Sequence, residues 1–525
     1  MSIWLLGVAS SYSGLLAFVG GLLLLVVGYT TYGRFVEGIL GPDDRITPAV
    51  KYNDGVDYIV LPHWKNMLIQ LLNIAGIGPV IGVIAGIKFG SIVFILIPIG
   101  NLIAGATHDF ISGMASLRNK GGNLPSFVQK TLGKVYYGFF SVFMIFLLLL
   151  VVAVFINVPA KLIDITFVPQ YSFFWGAVGL IFIYYIVATL FPIDKIIGHF
   201  YPIFGAVLLF GSLALLVSLL CRAFCDPSIL LESEAFSSAR KQFLGNNPLI
   251  PCVFVTIACG IISGFHATQS PIIARTMNSE RNARASFYGM MVVEGVIAMV
   301  WAGAALVVYN LYLGENPDFW AKSANDVLPI ITKVFLGNGL GTITVLAVVV
   351  LAITSGDTAM RSIRLSLAEM FKLDQKVVRN RIGLCLPLIA IISLLLLWSN
   401  KSAASFGKLW TYFAWGNQVI AASTLGAGTV WIFSRKKNGW IAVIPALFMS
   451  FIVVSFILWT SPKHGGPQGL GLGLNVAYVI GSIVSVLFVS WCVFLGIKFA
   501  RTKGDVLGDD SQDLPEIKQD NESQK

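Results

Sequence analysis

An all-α polytopic membrane protein with about thirteen transmembrane helices is the fold class that the sequence predicts, and three observations predict it. Residues are 56% apolar and 12% charged, with a mean hydropathy of +0.81, values far from those of a soluble domain. Apolar stretches close to the roughly 20 residues needed to cross a bilayer core of about 30 Å recur almost to the end of the 525-residue chain. Lys and Arg alternate between rich and poor connections: 26 of the 36 fall on the side that the positive-inside rule makes cytoplasmic, and 10 on the other.

The helices are expected at residues 10–32, 67–87, 91–117, 135–157, 171–191, 198–221, 248–273, 286–310, 337–360, 382–399, 406–433, 439–460 and 474–497, and are called helices 1 to 13. Helix 1 is long and has little leading positive charge, so it reads as a span rather than a cleaved signal peptide. The charge alternation puts the N-terminus outside and the C-terminus in the cytoplasm. Residues 1–500 form one transmembrane domain, and 501–525, acidic and without periodicity, read as a disordered cytoplasmic tail. The net charge of +10 follows from this topology, so the lipid bilayer is the implied partner and a nucleic acid is not. Six cysteines are scattered without metal-ligand spacing; Cys221 and Cys225, near an outer helix end, are close enough in sequence for a disulfide.

Two of the apolar segments are interrupted. Helix 2 contains NIAGIGPVIGVIAG and helix 7 contains ACGIISGFHATQSPIIA, with Gly76, Gly78 and Pro79 in the first and Gly260, Gly264 and Pro271 in the second. Glycine and proline weaken helical hydrogen bonding where no water replaces it. A kink or a close packing point is one reading. The spacing gives another, because an offset of five helices turns the second unit upside down relative to the first, as in carriers built from inverted repeats. Helices 2–6 (about 67–221) and 7–11 (about 248–433) are then the two repeats, and unwound backbone between helices 2 and 7 lines the substrate site.

Acidic residues inside the expected spans are few: Asp109 in helix 3, Glu294 in helix 8 and Asp357 in helix 9. Charge at the bilayer centre costs several kcal/mol, so each needs a partner or a role. Arg361 follows Asp357 at i+4 and offers it a local ion pair. Asp109 and Glu294 each lie about eight residues, roughly 12 Å, from the inner ends of their helices and belong to one depth. The structural alternatives are pairing of Asp109 with His108 and an interhelical hydrogen bond from a neutral Glu294. His108 and His266 are likewise either functional or satisfied core histidines.

The blocks GRFVEGILGPDDRITPA, NDGVDYIVLPHWK, IAGIGPVIGVIAGIKFG, LIAGATHDFISGMASLRNKG, GIISGFHATQSPIIART and YFAWGNQVIAAST, in this order from about residue 30 to 430, resemble the carbon starvation protein A (CstA) family of bacterial inner-membrane carriers. The resemblance implies uptake of small peptides or, for some members, of pyruvate with protons, in carbon starvation. It also implies the five-plus-five (LeuT-type) inverted repeat of the amino acid, polyamine and organocation carriers. The chain departs from the pattern where large members carry a His-His pair before GxGP, here Ile69 and Gln70, and a second proline, here Val83.

The mechanism inferred from these residues is alternating access between helices 2 and 7. Free N–H groups near Gly76, Gly78, Ser263 and Gly264 would meet a substrate carboxylate, with Asn73, His266, Thr268 and Gln269 adding side-chain hydrogen bonds. Glu294, Asp109 and His108 are the candidate proton carriers. Sodium is the alternative co-transported ion, held near Gly76, Gly78, Thr354 and Ser355. No resident cofactor or metal is implied. A channel would not need an odd-offset repeat, no enzyme motif such as HExxH or GxSxG is present, and a nutrient sensor lacks an attached signalling domain in this sequence.

Overall fold

The structure, a computed structural model, describes residues 2–508 apart from 56, 169, 191–192 and 374–376, with the side chains of 2–11, 189–190, 193–204 and 403 also outside the description. A helix stands at each expected position: helix 1 is Ser2–Thr30, helix 4 Leu124–Phe167, helix 5 Phe174–Leu190, helix 6 Ile193–Cys225, helix 9 Ala324–Phe371, helix 10 Val378–Ser399, helix 11 Ala403–Ser434, helix 12 Trp440–Trp459 and helix 13 Leu474–Thr502. Helix 3 occupies Val93–Arg118 and helix 8 Glu280–Leu313. Nine helices among the described residues are long and apolar enough to cross a membrane, ten if the bent pair His63–Ile74 and Gly78–Phe89 is one span. The count of thirteen is thus not reached on length and apolarity: helix 5 is described as apolar only over Phe174–Ala188, helix 7 is in pieces, and helix 11 is studded with polar groups.

Matched irregularities relate helices five apart. Helix 2 is broken after Ile74 and bends by 50°, and helix 7 runs as Leu249–Thr256, Ala258–Ile261 and Gly264–Ala274 with extended backbone at Ile262 and Ser263. Helices 3 and 8 each contain a widened π-helical turn, at Asn101–Ala106 and Arg284–Gly289. Helices 4 and 9 each begin with a short helix joined to a long one at a glycine, Gly133 (φ 86°) and Gly337 (φ 70°). Nothing crowds either glycine, so the left-handed φ is the reason for the residue type. The short helix of helix 4 lies at one end of the bundle, where Asn123 donates to Glu369 (2.6 Å); that of helix 9 lies at the other, where Ser218 and Arg222 donate to Phe335 and Val334. The motif is repeated upside down. The long parts of helices 4 and 9 pack along each other, and helix 2 packs against helix 7.

One end of the bundle is closed by ion pairs. Arg118 ends helix 3 and forms a buried bidentate pair with Glu280 at the start of helix 8, while its Nη2 also donates to the Gly41 carbonyl (3.0 Å) and to Asp43 (3.3 Å). Asp43 takes two hydrogen bonds of 2.8 Å from Arg45, which with the nearby Arg118 hold its carboxyl at about 2. The backbone of Ile59 and Leu61 pairs with Arg275 and Thr276, both at 3.0 Å, and stitches the start of helix 2 to the end of helix 7. All these segments come from connections that the charge pattern assigns to the inner side.

Several boundaries differ from those expected. Helix 9 continues past residue 360 to Phe371, so Arg361 and Arg364 are buried helical residues rather than loop residues. The connection 33–66 holds a further amphipathic helix, Tyr32–Leu40. Cys221 and Cys225 are both free thiols. Of the tail, 509–525 lie outside the described residues; before them, Asp505 folds back to Arg435 (3.5 Å) and accepts from Trp431 (3.1 Å).

Replacing Glu280 by alanine leaves the buried Arg118 guanidinium with only its contacts to Asp43 and the Gly41 carbonyl and should destabilise the protein by up to about 3–5 kcal/mol, read as a lowered Tm in detergent. The Asp43 contribution has a defined pH window. Its folded value lies below the ordinary ~3.9 of aspartate, so the stabilisation is complete above about pH 4 and disappears as pH falls through about 2. The Tm difference between the parent and Asp43→Asn should therefore be constant from neutral pH to about pH 5 and shrink below it.

Candidate coupling and substrate site

The apolar sequence around Asp109 leaves it few ways to meet a partner, and helix packing supplies them. His108 and Asp109 are neighbours on helix 3, about 100° apart around its axis. The imidazole nevertheless folds back, placing His108 Nδ1 2.8 Å from Asp109 Oδ1. On helix 7, one turn past the break at Ser263, His266 places its Nδ1 3.0 Å from the other oxygen, Oδ2. With Asp109 as carboxylate both histidines donate through Nδ1–H, which fixes their orientation and turns their Nε2 atoms outward. The Nε2 of His266 faces helix 8, 3.7 Å from Glu294 Oε2. The four side chains, at most 1% exposed, form one file from helix 3 through helix 7 to helix 8.

The file is made of four titratable groups in contact range. Two ionised carboxylates with two neutral imidazoles carry two negative charges in a buried region, a cost of several kcal/mol, and each proton taken up relieves part of it. Glu294 makes no hydrogen bond and His108 Nε2 has none, so both ends of the file have unused capacity. A shift of under 1 Å brings Glu294 within hydrogen-bonding reach of His266. Among the described residues no group of three or more His, Cys, Asp or Glu is arranged to hold a metal ion.

The sequence-predicted residues come together unevenly. Asp109, His108 and Glu294 meet as one cluster, and His266, expected among the substrate contacts, is its central member. Asn73 is wholly buried with neither polar atom of its side chain bonded. Gly76 faces Phe155 and Ser355, where an added Cβ would stand 2.9 Å and 3.5 Å from their nearest atoms. Gly78 is a contact point of the two broken helices, since a Cβ there would lie 2.0 Å from that of Cys259. Ser263 is the extended residue before the last piece of helix 7, and Gly264 is pressed against helix 11, 2.4 Å from the Asn417 carbonyl in the same sense. Thr268 and Gln269 are held to helix 9: Gln269 Nε2 donates to Ser362 (3.1 Å), whose hydroxyl donates to the Thr268 carbonyl (3.1 Å). Ser355 donates to the Leu72 carbonyl beside the helix 2 break (3.0 Å), and Thr354 donates within its own helix to Leu351 (2.9 Å).

Four residues outside the sequence-derived set complete the site. Asn417 Oδ1 accepts the Phe265 N–H (3.1 Å) and so caps the last piece of helix 7 from another helix, while Gln418 Nε2 donates to the Ile262 carbonyl (2.9 Å) at the extended residue. Asn101 in the π turn of helix 3 donates to the carbonyls of Gly260 (3.2 Å) and Met291 (2.9 Å). Gln70 is buried with both polar atoms of its amide unbonded. Asn66, Gln70 and Asn73 form a polar stripe at i, i+4 and i+7, and Asn66, which bonds Thr276 (2.8 Å) and Ser286 (3.1 Å), shows that this face meets helices 7 and 8. That stripe, in an otherwise apolar segment, was a signal available in the sequence.

Broken helices paired across an inverted repeat, with polar groups gathered at the breaks, define a membrane transporter of the LeuT type and not an enzyme. The manganese transporter of Eremococcus coleocola shares this fold (TM-score 0.53, 13% identity, covering 85% of this chain and 99% of that one), as does MhsT solved with L-phenylalanine (TM-score 0.51, 14% identity, 83% and 99%). The family profile described as carbon starvation protein CstA matches residues 13–178, 176–335 and 329–455, and the chain belongs to that family. An uncharacterized membrane protein of Haemophilus influenzae is 39% identical over 56% of this chain and 90% of its own length. The peptide transporter CstA of Bacillus subtilis is 22% identical over 90% of this chain and 96% of its own. The pyruvate/proton symporter BtsT of Escherichia coli is 26% identical over 58% of this chain but only 51% of its own length.

Removing the cap with Asn417→Ala should cost about 1 kcal/mol of stability, the usual worth of a helix cap. Because the cap orients the helix 7 break, the KM for transported substrate should rise at near-normal protein yield. Uptake kinetics alongside Tm separate the two effects.

Proposed function

We propose that the protein is a proton-coupled symporter that imports small peptides, working by alternating access around the breaks of helices 2 and 7 in the inner membrane, with its N-terminus outside and its C-terminus in the cytoplasm. The observation that carries the proton coupling is the file His108–Asp109–His266–Glu294, because its central member sits on the mobile class of element, one turn from the helix 7 break. Asp109 is the fixed counter-ion that orients both imidazoles, and the Glu294–His266 pair takes up and releases the proton. A change of charge there alters the attraction between helices 3, 7 and 8 where helix 7 is least constrained by its own hydrogen bonds. That couples protonation to the exposure of the substrate site.

Substrate is read as binding against the unbonded amides of Gln70 and Asn73 and the backbone near Gly76 and Ser263. Neutral amides that both donate and accept suit the amide backbone of a peptide, and this favours peptides over a small carboxylate such as pyruvate. The names of the Bacillus subtilis and Escherichia coli relatives support both substrate classes and, for the latter, the proton. A sodium-coupled reading draws on one observation, the hydroxyl of Ser355 at the helix 2 break beside Gly76.

The test is uptake into proteoliposomes of a labelled dipeptide and of labelled pyruvate, under an imposed proton gradient and then a sodium gradient. Peptide accumulation with the proton gradient alone is the expected result; accumulation only with sodium would move the coupling site to Thr354 and Ser355. Glu294→Gln and Asp109→Asn should abolish accumulation while leaving substrate exchange, which needs no net proton release. Variants that still concentrate substrate would make the file structural.

A further inference from the structure

Asn101 opens the π turn of helix 3, eight residues before Asp109, in an otherwise apolar stretch, and its side chain is wholly buried. Its amide nitrogen lies between two carbonyl oxygens, that of Gly260 on helix 7 (3.2 Å) and that of Met291 on helix 8 (2.9 Å). Two acceptors fix the atom between them as the donor. Gly260 lies six residues before His266, and Met291 three before Glu294. One side chain, on the helix that carries Asp109, therefore holds both of the helices whose imidazole and carboxyl group face each other across 3.7 Å.

Three features mark this as a built joint rather than a chance contact. Gly260 belongs to the Ala258–Ile261 piece of helix 7, and the extended backbone at Ile262 and Ser263 takes away the N–H that its carbonyl would meet in a continuous helix; Asn101 supplies the donor instead. Helix 8 makes room for the amide, since a Cβ at Gly295, the neighbour of Glu294, would stand 2.7 Å from the Asn101 nitrogen. Helix 3 makes room for helix 7 at Gly100 and Gly105, which straddle Asn101: an added Cβ would stand 2.4 Å from the Ile261 side chain at the first and 2.0 Å from the Ile261 carbonyl oxygen at the second. Three backbones thus approach closely at the one residue that bonds across them.

We infer that Asn101 is a positioning residue for proton coupling: by tying Gly260 and Met291 to the π turn of helix 3, its amide sets the separation of His266 and Glu294. The inference rests on the proton-symporter reading and deepens it, because it names the residue through which the position of helix 7 reaches Glu294. Asp109 orients His266 from one side, and Asn101, from the same helix, fixes where helix 8 stands on the other. Movement of helix 7 in the transport cycle draws the Gly260 carbonyl off the amide and leaves only the Met291 bond. Helices 7 and 8 then lose their common tie, and His266 and Glu294 part. Asn101 carries no proton; it acts through the pair that does.

Proteoliposomes holding the full-length protein and a pH-sensitive dye test this, with labelled glycyl-alanine as the probe; acidification of the lumen on peptide entry and peptide exchange are read on the same vesicles. Asn101→Leu keeps the branched shape and removes the donor, and Gly295→Ala leaves Asn101 in place but pushes its amide off helix 8. Each should carry about tenfold fewer protons per peptide while exchange stays within about twofold of the parent, the scale set by losing one or two neutral hydrogen bonds. If Asn101→Leu does not fold, Gly295→Ala carries the same expectation. An unchanged proton-to-peptide ratio in a folded variant, or exchange that falls in step with acidification, would overturn the positioning role and leave the symporter reading intact. A parent protein that moves no peptide, or moves it without acidifying the lumen, would overturn the symporter reading, and this inference with it.

Discussion

A helix interrupted inside a membrane exposes backbone N–H and C=O groups that water cannot reach, and each left bare costs several kcal/mol. The rest of this structure is arranged around that constraint. Helix 11 brings Asn417 and Gln418 to the Phe265 N–H and the Ile262 carbonyl, helix 3 brings Asn101 to the Gly260 carbonyl, and helix 9 brings Ser355 to the Leu72 carbonyl. Three helices thus hold two broken ones by single side chains. Continuous helices would be more stable, but their polar backbone would be fully used internally and would offer a substrate nothing to bind.

The same arrangement brings titratable groups to the break. Asp109 is bonded on both oxygens by histidine, from its own helix on one side and from helix 7 on the other. Glu294 faces the remaining nitrogen of His266. The bilayer raises the cost of every unpaired charge in this file, so the pairing of its members bears on how helices 3, 7 and 8 sit together. The two ends of the molecule complement this core. One is tied by the buried Arg118–Glu280 pair with Asp43 and Arg45; at the other, Glu232 pairs with Arg240 and Lys88 donates to the Trp320 carbonyl, while Phe155, Phe265 and Phe413 pack over the breaks.

Much of this was legible in the sequence. Composition and the alternation of basic loops predict the membrane class, and glycine and proline at a five-helix offset predict which helices are broken. These are local properties of the chain, set by hydropathy and by the φ and N–H limits of two residue types. The acidic residues were identifiable for the same reason: a carboxylate in an apolar run stands out without any knowledge of its neighbours. The joints at Gly133 and Gly337 were not, because each is a single glycine whose left-handed φ leaves no mark in composition.

Partnership was decided by the tertiary structure. Nothing in the spacing of His266 and Glu294 tells that they belong to one cluster, or that His108 bends back to its neighbour, since interhelical distance depends on how side chains interdigitate across helices 3, 7 and 8. Asn417 and Gln418 lie about 150 residues from the backbone they satisfy, and only packing of helix 11 against the last piece of helix 7 brings them there. The sequence by itself determined that buried polar groups exist and in which helices, because their cost is paid residue by residue; the fold decided which of them meet, because a hydrogen bond is made across a few ångströms that only the assembled bundle sets.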